Sequence, residues 1–313
     1  MLEEEKVKRE CELTSVLSAQ PSGLRSQVYN VPSSSSLLVI GQDSLIGSAI
    51  ARESESLGVP FFGTSRRAGA RWHVDLAASP ESWKLPDISS AAILCAATTS
   101  LKICEADPQG THKINTKATI ILADRLAAQG SGITFLSTSR VFPPWIENPS
   151  ESTPPEPVTE YGRQKLAVEE YLLRNHPTAK IIRLSKVISP SLPLLGVWSR
   201  SLDHRETVDA FFDLFLSPIA LGSTAQAILQ IALGPRPGIF HISASDAISY
   251  FDVARFLASL VDADPSLVQP SPSPQPNTPG SSILSCARTM ETSSFRPSTS
   301  LENLRSAFTG LIP

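Results

Sequence analysis

Short apolar runs alternate with longer amphipathic stretches over most of this chain. Leu37-Leu38-Val39-Ile40, Val59 to Thr64, Ala91 to Ala96, Ile133 to Ser137 and Lys180 to Leu184 are each too short for a stable helix, and they lack the clean alternation of a strand with one wet face. That pattern predicts strands buried on both faces, as in a parallel sheet. Between them, 45–57, 112–129 and 159–174 place apolar residues at helical spacing, the second closing near Gly130. Strand and helix alternate, so the expected fold class is α/β, a Rossmann-type doubly wound parallel sheet.

After 187 the rhythm weakens. Pro190, Pro193 and Pro218 interrupt it. A helix is expected over 223–233, a buried strand at Gly238-Ile239-Phe240-His241-Ile242 and an amphipathic helix from Ser249 to Val261, while Pro265 to Ser282 reads as a loop rich in Pro and Ser. At the other end, residues 1–33 show no apolar period and run into Val31-Pro32-Ser33-Ser34-Ser35-Ser36, which predicts a disordered leader.

Composition narrows the function more than the fold. A chain of 313 residues that is 41% hydrophobic builds a real core. A net charge of -3 with scattered basic residues gives no field for nucleic acid, so no nucleic-acid partner is expected. The four cysteines, Cys11, Cys95, Cys104 and Cys286, have neither metal-ligand spacing nor the density of a disulfide scaffold, and they read as reduced thiols, Cys95 as a small core residue. The polar start Met1-Leu2-Glu3-Glu4-Glu5-Lys6 and the lack of a long apolar run predict no membrane association and a cytoplasmic location.

Two segments carry chemistry. Gly41-Gln42-Asp43-Ser44-Leu45-Ile46-Gly47 follows a strand and opens a helix, where the amides of Ser44, Leu45 and Ile46 and the helix dipole can receive a pyrophosphate. Gly41 permits the tight turn and Gly47 the close packing of helix on strand. At the end of the next strand, Gly63-Thr64-Ser65-Arg66-Arg67 puts Ser65 and Arg66 where a 2′-phosphate would lie, which favours NADP(H) over NAD; Asp75 could accept from an adenine amine. Tyr161-Gly162-Arg163-Gln164-Lys165 then places a phenol and an ammonium one helical turn apart on one face, where the cation is expected to lower the phenol's pKa. A solvated helix face and a plain strand-turn-helix are the simpler readings of each segment alone; their occurrence in order, with Ser137-Thr138-Ser139 at a strand end between them, favours a site. The expected organisation is a cofactor-binding domain over 34–187 plus about 217–244, and a small mixed α/β C-terminal substrate lobe from about 188–216 and 245–313.

With these pieces in order, the chain resembles the extended short-chain dehydrogenase/reductase superfamily, in its branch of dTDP-4-dehydrorhamnose reductases and related sugar-nucleotide reductases. The resemblance covers about 36–310 and rests on the Gly41 to Gly47 turn, Ala96-Ala97-Thr98-Thr99, Cys104-Glu105, Ile114-Asn115, Ser137-Thr138-Ser139-Arg140-Val141-Phe142, Tyr161 to Lys165 and Gly238 to Ile242. It implies a nucleotide-sugar substrate, hydride transfer from NADPH to a ketone, Tyr161 as proton donor, Thr138 as the hydroxyl that binds the carbonyl oxygen, and Lys165 holding the cofactor ribose. Ala96 and Ala97 would line the cofactor's path, and a homodimer fits because dimers are common among such proteins.

The chain also departs from that branch. Ser139 stands where an aspartate is common and Arg140 where an aromatic follows it, and Pro143-Pro144-Trp145 replaces a glycine-rich turn, which implies an altered sugar pocket. Trp145 is expected to pack in its loop, with stacking on a sugar or base as the other reading. Ser139-Arg140 cannot supply the acidic pair a dehydratase needs. An epimerase, or a non-catalytic NADP-binding subunit similar to the methionine adenosyltransferase beta subunit, are the alternatives. Arg183 and Lys186 could reach a diphosphate, and His204 and Arg205 could line the pocket; surface or structural roles are the simpler reading for all four.

Overall fold

The computed structural model describes residues 36–87 and 90–308, so the leader expected over 1–33 and Cys11 lie outside it. Six parallel strands form the central sheet: β1 (Leu37–Ile40), β2 (Phe61–Gly63), β3 (Ala91–Leu94), β4 (Gly132–Thr138), β5 (Lys180–Leu184) and, taken out of chain order, β10 (Gly238–Ile242). Their spatial order is β2-β1-β3-β4-β5-β10. The apolar runs form these strands because a sheet covered on both faces has no wet side to accommodate polar residues. From β1 the chain first adds β2 on one side and then β3 on the other, so the crevice beyond the carboxyl ends of β1 and β3 is the topological switch point.

Helices α1 (Leu45–Ser56), α2 (Leu101–Ala106), α3 (Pro108–His112), α4 (Thr119–Ala128) and α5 (Glu160–Asn175) connect the strands, and a π-helical stretch, Lys113–Ala118, joins α3 to α4. The helix expected over 112–129 therefore begins earlier, at Pro108, because proline is tolerated in a first turn and Asp107 caps it by accepting from Gly110 N at 2.9 Å. One apolar core, including Ile40, Leu94, Leu122, Phe135 and Ile181, lies against the sheet.

A second core gathers Leu195, Trp198, Leu202, Val253, Leu257 and Leu304. It joins α6 (Pro193–Asp203), β7 (Val208–Phe211), α8 (Tyr250–Leu260) and α11 (Ser300–Ala307). Helix α6 is the element that the proline pattern hid. Pro193 does not interrupt it but occupies its first turn, where the missing N–H costs nothing. The stretch Pro265 to Ser282 is also more than a loop. Val268–Ser271 (β12) pairs in parallel with Val208–Phe211, and Pro279–Ser282 (α9) is a short helix. Pro270 is tolerated in β12 because the two-stranded sheet leaves it an open edge.

Helix α5 sets the position of everything near the carboxyl end of β4. Thr159 caps it by accepting from Gly162 N at 3.1 Å, and Glu105 Oε1 accepts from Glu160 N at 2.7 Å, an acidic group at the positive end of the helix. The first turn lies so close to the following segment that a Cβ on Gly162 would sit 2.3 Å from Arg140 O. Deeper along the same face, Glu169 is fully buried and makes three charge-assisted contacts with the buried Arg183 of β5, the shortest 2.6 Å from Nη2 to Oε2, while the Ser137 hydroxyl donates to Glu169 Oε1. Arg183 stacks on Phe142, with Cζ 5.0 Å from the ring centre. The guanidinium thus binds the fold together and is not free to meet a diphosphate.

A buried ion pair of this kind is costly to break but not costly to replace. Glu169→Gln or Arg183→Met should lower unfolding free energy by about 3–5 kcal/mol, because each leaves one uncompensated buried charge. The double variant Glu169→Leu, Arg183→Met should recover most of that loss. Urea denaturation of the four proteins checks this, and a double variant as unstable as the sum of the singles would refute it.

Candidate active site

At the switch point the turn is built from backbone, not from side-chain charge. Gly41 has φ +85°, a region that favours glycine, and a Cβ there would meet the Cβ of Ala96 at 3.0 Å and its backbone N at 3.2 Å. Gly47 is equally constrained, since a Cβ would lie 2.3 Å from Gly41 O. Gly41 N donates to Thr64 Oγ1 at 3.1 Å, and Ser44 accepts from Gly47 N at 3.0 Å as the N-cap of α1. Leu45 and Ile46 occupy the first turn, where helix geometry leaves amides for an anion. A methyl group added at Gly41 or Gly47 would collide with Ala96 or with the turn itself, so only glycine permits this tight strand-to-helix turn with its first-turn amides exposed at the switch point.

Ser65 and Arg66 are at the rim of the same corner, but they differ in availability. The Ser65 hydroxyl is buried and donates to Asp43 Oδ2, and Arg67 lies 3.6 Å from that same oxygen. Asp43 was legible only as part of the turn, yet its carboxylate organises this corner by taking Ser65 and Arg67. Arg66 is exposed and has no side-chain partner among the described residues. Asp75 Oδ1 accepts from Ala77 N at 3.0 Å and the Asp75 carbonyl from Trp83 Nε1 at 2.8 Å, which ties that loop down.

Thr138 and Tyr161 come together in a cleft of about 290 Å³ at the end of β4. The Thr138 hydroxyl accepts from Arg140 N at 3.2 Å, which leaves its hydrogen available to an oxygen in the cleft. The Tyr161 phenol makes no hydrogen bond among the described residues, and burial, helped by the neighbouring Cys104 thiol, pushes its pKa well above the ordinary value. This corrects the expectation that Lys165 would lower it. The Lys165 ammonium is turned away, donating to Leu136 O at 2.8 Å over the face of Phe135 (4.4 Å to the ring centre), and lies 5.8 Å from the centre of the Tyr161 ring. Burial pulls the pKa of Lys165 down to about 8, against the opposing effects of Cys95, Glu169 and Cys104.

Sequence reasoning singled out Asn115 only for its resemblance, and did not single out Gln164. Asn115 is buried in the π-helical stretch; its Oδ1 accepts from Thr98 N at 2.8 Å and its Nδ2 donates to Thr98 O at 2.9 Å and to Gln164 Oε1 at 2.8 Å. These bonds fix the chain just beyond Ala96 and Ala97. The signal was present as an Asn and a Gln at positions where apolar residues would otherwise be expected on buried helix faces. By contrast Trp145 is 62% exposed, so it neither packs in its loop nor lines the cleft. His204 and Arg205 do not line it either. Cys95, Cys104 and Cys286 are free, and burial drives the thiols of Cys95 and Cys286 up to about 12, as expected of unreactive thiols. No helix among the described residues is long and apolar enough to cross a membrane.

Comparison with known proteins places this geometry. Residues 35–311 match the family model described as the RmlD substrate binding domain. A dTDP-4-dehydrorhamnose reductase of Mycolicibacterium smegmatis is 30% identical over 244 residues, covering 72% of this chain and 74% of that protein. The beta subunit of methionine adenosyltransferase 2 from Danio rerio is 26% identical over 181 residues, covering 52% of this chain and 53% of its own. Among solved structures, a Bacillus anthracis dTDP-4-dehydrorhamnose reductase in complex with NADP has the same fold, with a TM-score of 0.77 at 18% identity over 89% of this chain and 99% of that one. The chain therefore belongs to the RmlD substrate-binding-domain family, in the sugar-nucleotide reductase branch of the extended short-chain dehydrogenase/reductase superfamily.

Proposed function

We propose that the protein is an NADP-dependent oxidoreductase that reduces the 4-keto group of a nucleotide-linked sugar, with Tyr161 as the proton donor. The observation that carries this reading is the meeting of Thr138 and Tyr161 in one cleft, with Lys165 one helical turn behind and the glycine cradle at the adjacent switch point. The nicotinamide, when bound, supplies the hydride. The residues of this chain do the rest. Thr138 donates to the carbonyl oxygen, and Tyr161, protonated because it is buried, gives its proton to the same oxygen as negative charge develops there. Lys165 holds the ribose hydroxyls and keeps the cofactor beside the phenol. Gly41, Ser44, Leu45, Ile46 and Gly47 receive the pyrophosphate, Ala96 and Ala97 leave room for the cofactor to pass, and Arg66 meets the 2′-phosphate, with Ser65 and Asp75 shaping the adenosine end. The lobe built on α6, α8 and α11 borders the cleft through Tyr250, where the sugar nucleotide would lie.

The cation at Arg66 favours NADP over NAD because the carboxylate of Asp43 in the same corner is already engaged by the Ser65 hydroxyl and Arg67. The match to a methionine adenosyltransferase beta subunit keeps a second reading in play, a binding role without turnover. An intact Thr138, Tyr161 and Lys165 argues against it, since a binding role has no need of a buried, protonated phenol facing a cleft.

The test is NADPH oxidation across a panel of nucleotide-linked 4-keto-6-deoxy sugars. Tyr161→Phe should reduce kcat by about 10²–10⁴-fold, the usual worth of a positioned acid, with NADPH affinity nearly unchanged. Tight NADPH binding without oxidation of any substrate would favour the binding role. An epimerase would convert substrate without net NADPH consumption.

A pH dependence follows from Lys165. Its ammonium is charged below about pH 8 and lost above it. NADPH affinity should be flat below that point and fall with rising pH beyond it, and Lys165→Met should abolish the step while weakening binding at all pH values. Titrating NADPH affinity from pH 6.5 to 9.5 by fluorescence checks this; a flat profile in the native protein would refute it. The stability effect has the opposite sign. The unfolded chain retains that proton up to about 10.5, so burying Lys165 destabilises the fold at neutral pH and the penalty fades as pH rises through that window.

A further inference from the structure

The cleft that holds Thr138 and Tyr161 is lined by two cations, Arg140 and Lys186, and by no Asp or Glu among the described residues. Arg140 follows Thr138 by two residues in a short 3₁₀ turn, and Lys186 opens β6 (Lys186–Ile188) just beyond the end of β5. Both side chains are solvent-accessible, and neither makes an ion pair or a side-chain hydrogen bond among the described residues. The rest of the charge near the site is spoken for: Arg183 is neutralised by Glu169, and Arg67 by Asp43.

Two cations lining one cleft without a counter-charge repel each other. Crowding by protein, and then the charge of Arg140, pull the Lys186 ammonium below its ordinary pKa, while Arg140 opposes the upward shift that burial gives the Tyr250 phenol. Both cations line the same cleft as Thr138, Tyr161 and Tyr250. The cofactor's own phosphates do not answer them, because none of Gly41 to Gly47, Ser65 or Arg66 lines this cleft.

We propose that Arg140 and Lys186 form an anion-recognition pair that selects a substrate carrying negative charge close to the ketone being reduced. This rests on the reductase reading of the same cleft. The shared chemistry is a phosphoryl or carboxylate oxygen held by two charge-assisted contacts; its source is either the diphosphate of the nucleotide or a carboxylate on the sugar ring. Arginine supplies the planar fork for either oxyanion, and the lysine a second point charge.

The test is calorimetric binding to the NADP-loaded protein of three probes: dTDP-glucose, dTDP-glucuronic acid and thymidine. The native protein is compared with Arg140→Gln, Lys186→Gln and the double variant. Both positions are exposed, so the substitutions leave the core untouched, and unchanged NADPH affinity verifies it. The double variant should bind the charged probes about 10–100-fold more weakly than native, the loss expected for one or two hydrogen bonds to a charged group, and thymidine no differently. Equal losses for both sugar nucleotides would assign the pair to the diphosphate. A native preference for the glucuronic acid probe that vanishes in the double variant would assign it to a ring carboxylate. If native and double variant bind both sugar nucleotides equally, the proposal is overturned while the reductase reading stands. If the native protein binds neither charged probe, the pair recognises no such anion and the proposal is overturned, while the reductase reading is decided separately by NADPH oxidation.

Discussion

One helix face that is buried although it is polar governs the arrangement of this protein. Along α5, Tyr161, Gln164, Lys165 and Glu169 all point inward beside Val168 and Leu172. An amide, an ammonium and a carboxylate withdrawn from water need partners, so each of these three dictates what must stand opposite, while the Tyr161 phenol is left to face the cleft. Gln164 donates to Thr111 and accepts from Asn115, Lys165 donates to Leu136 O, and Glu169 takes Arg183 and Ser137. A rotation or a slip of the helix by one residue would orphan several of these at once. The helix is therefore held in register by polar satisfaction more than by apolar fit.

The same constraint explains the electrostatics of the site. A lysine kept in a dry environment loses part of its preference for charge, and a buried phenol holds its proton. Both groups are protonated at neutral pH: the phenol keeps its proton, and the ammonium stays charged because burial pulls its pKa only to about 8 against the favourable effects of Cys95 and then Glu169. Gly162 belongs to this logic. With any side chain there, α5 could not approach Arg140 O, and Tyr161 would move away from Thr138, which lies in the same strand-end segment.

Much of this was legible in the sequence. The sheet strands were readable because double-sided burial leaves uninterrupted apolar runs such as Leu37 to Ile40, and Gly41, Gly47, Tyr161 and Lys165 were readable because backbone approach and helical spacing restrict the residue choice. Helix α6 was not, because Pro193 signals a break or a first turn with equal force and only the packing of Leu195, Trp198 and Leu202 decides between them. The strand at Val268 was hidden for the same reason by Pro270. The partner of Arg183 was unreadable, since Glu169 is distant in sequence and its own pattern is that of an ordinary helix surface. The sign of the Tyr161 shift also depends on burial, which the one-turn spacing of a tyrosine and a lysine does not reveal.

The four arginines and lysines near the cleft separate along a line that the fold itself draws. Arg183 and Lys165 are buried, and both have acceptors supplied by the chain: a carboxylate for one, a carbonyl and an aromatic face for the other. Arg140 and Lys186 are accessible, mutually repulsive and without acceptors among the described residues. If all four served stability, the fold would show acceptors for all four, because an unpaired cation gains nothing from a partly desolvated cleft. The unequal treatment divides them by role. The buried pair holds the machinery in place, and the accessible pair lines the cleft proposed for the substrate, so on that proposal the missing counter-charge belongs to the substrate.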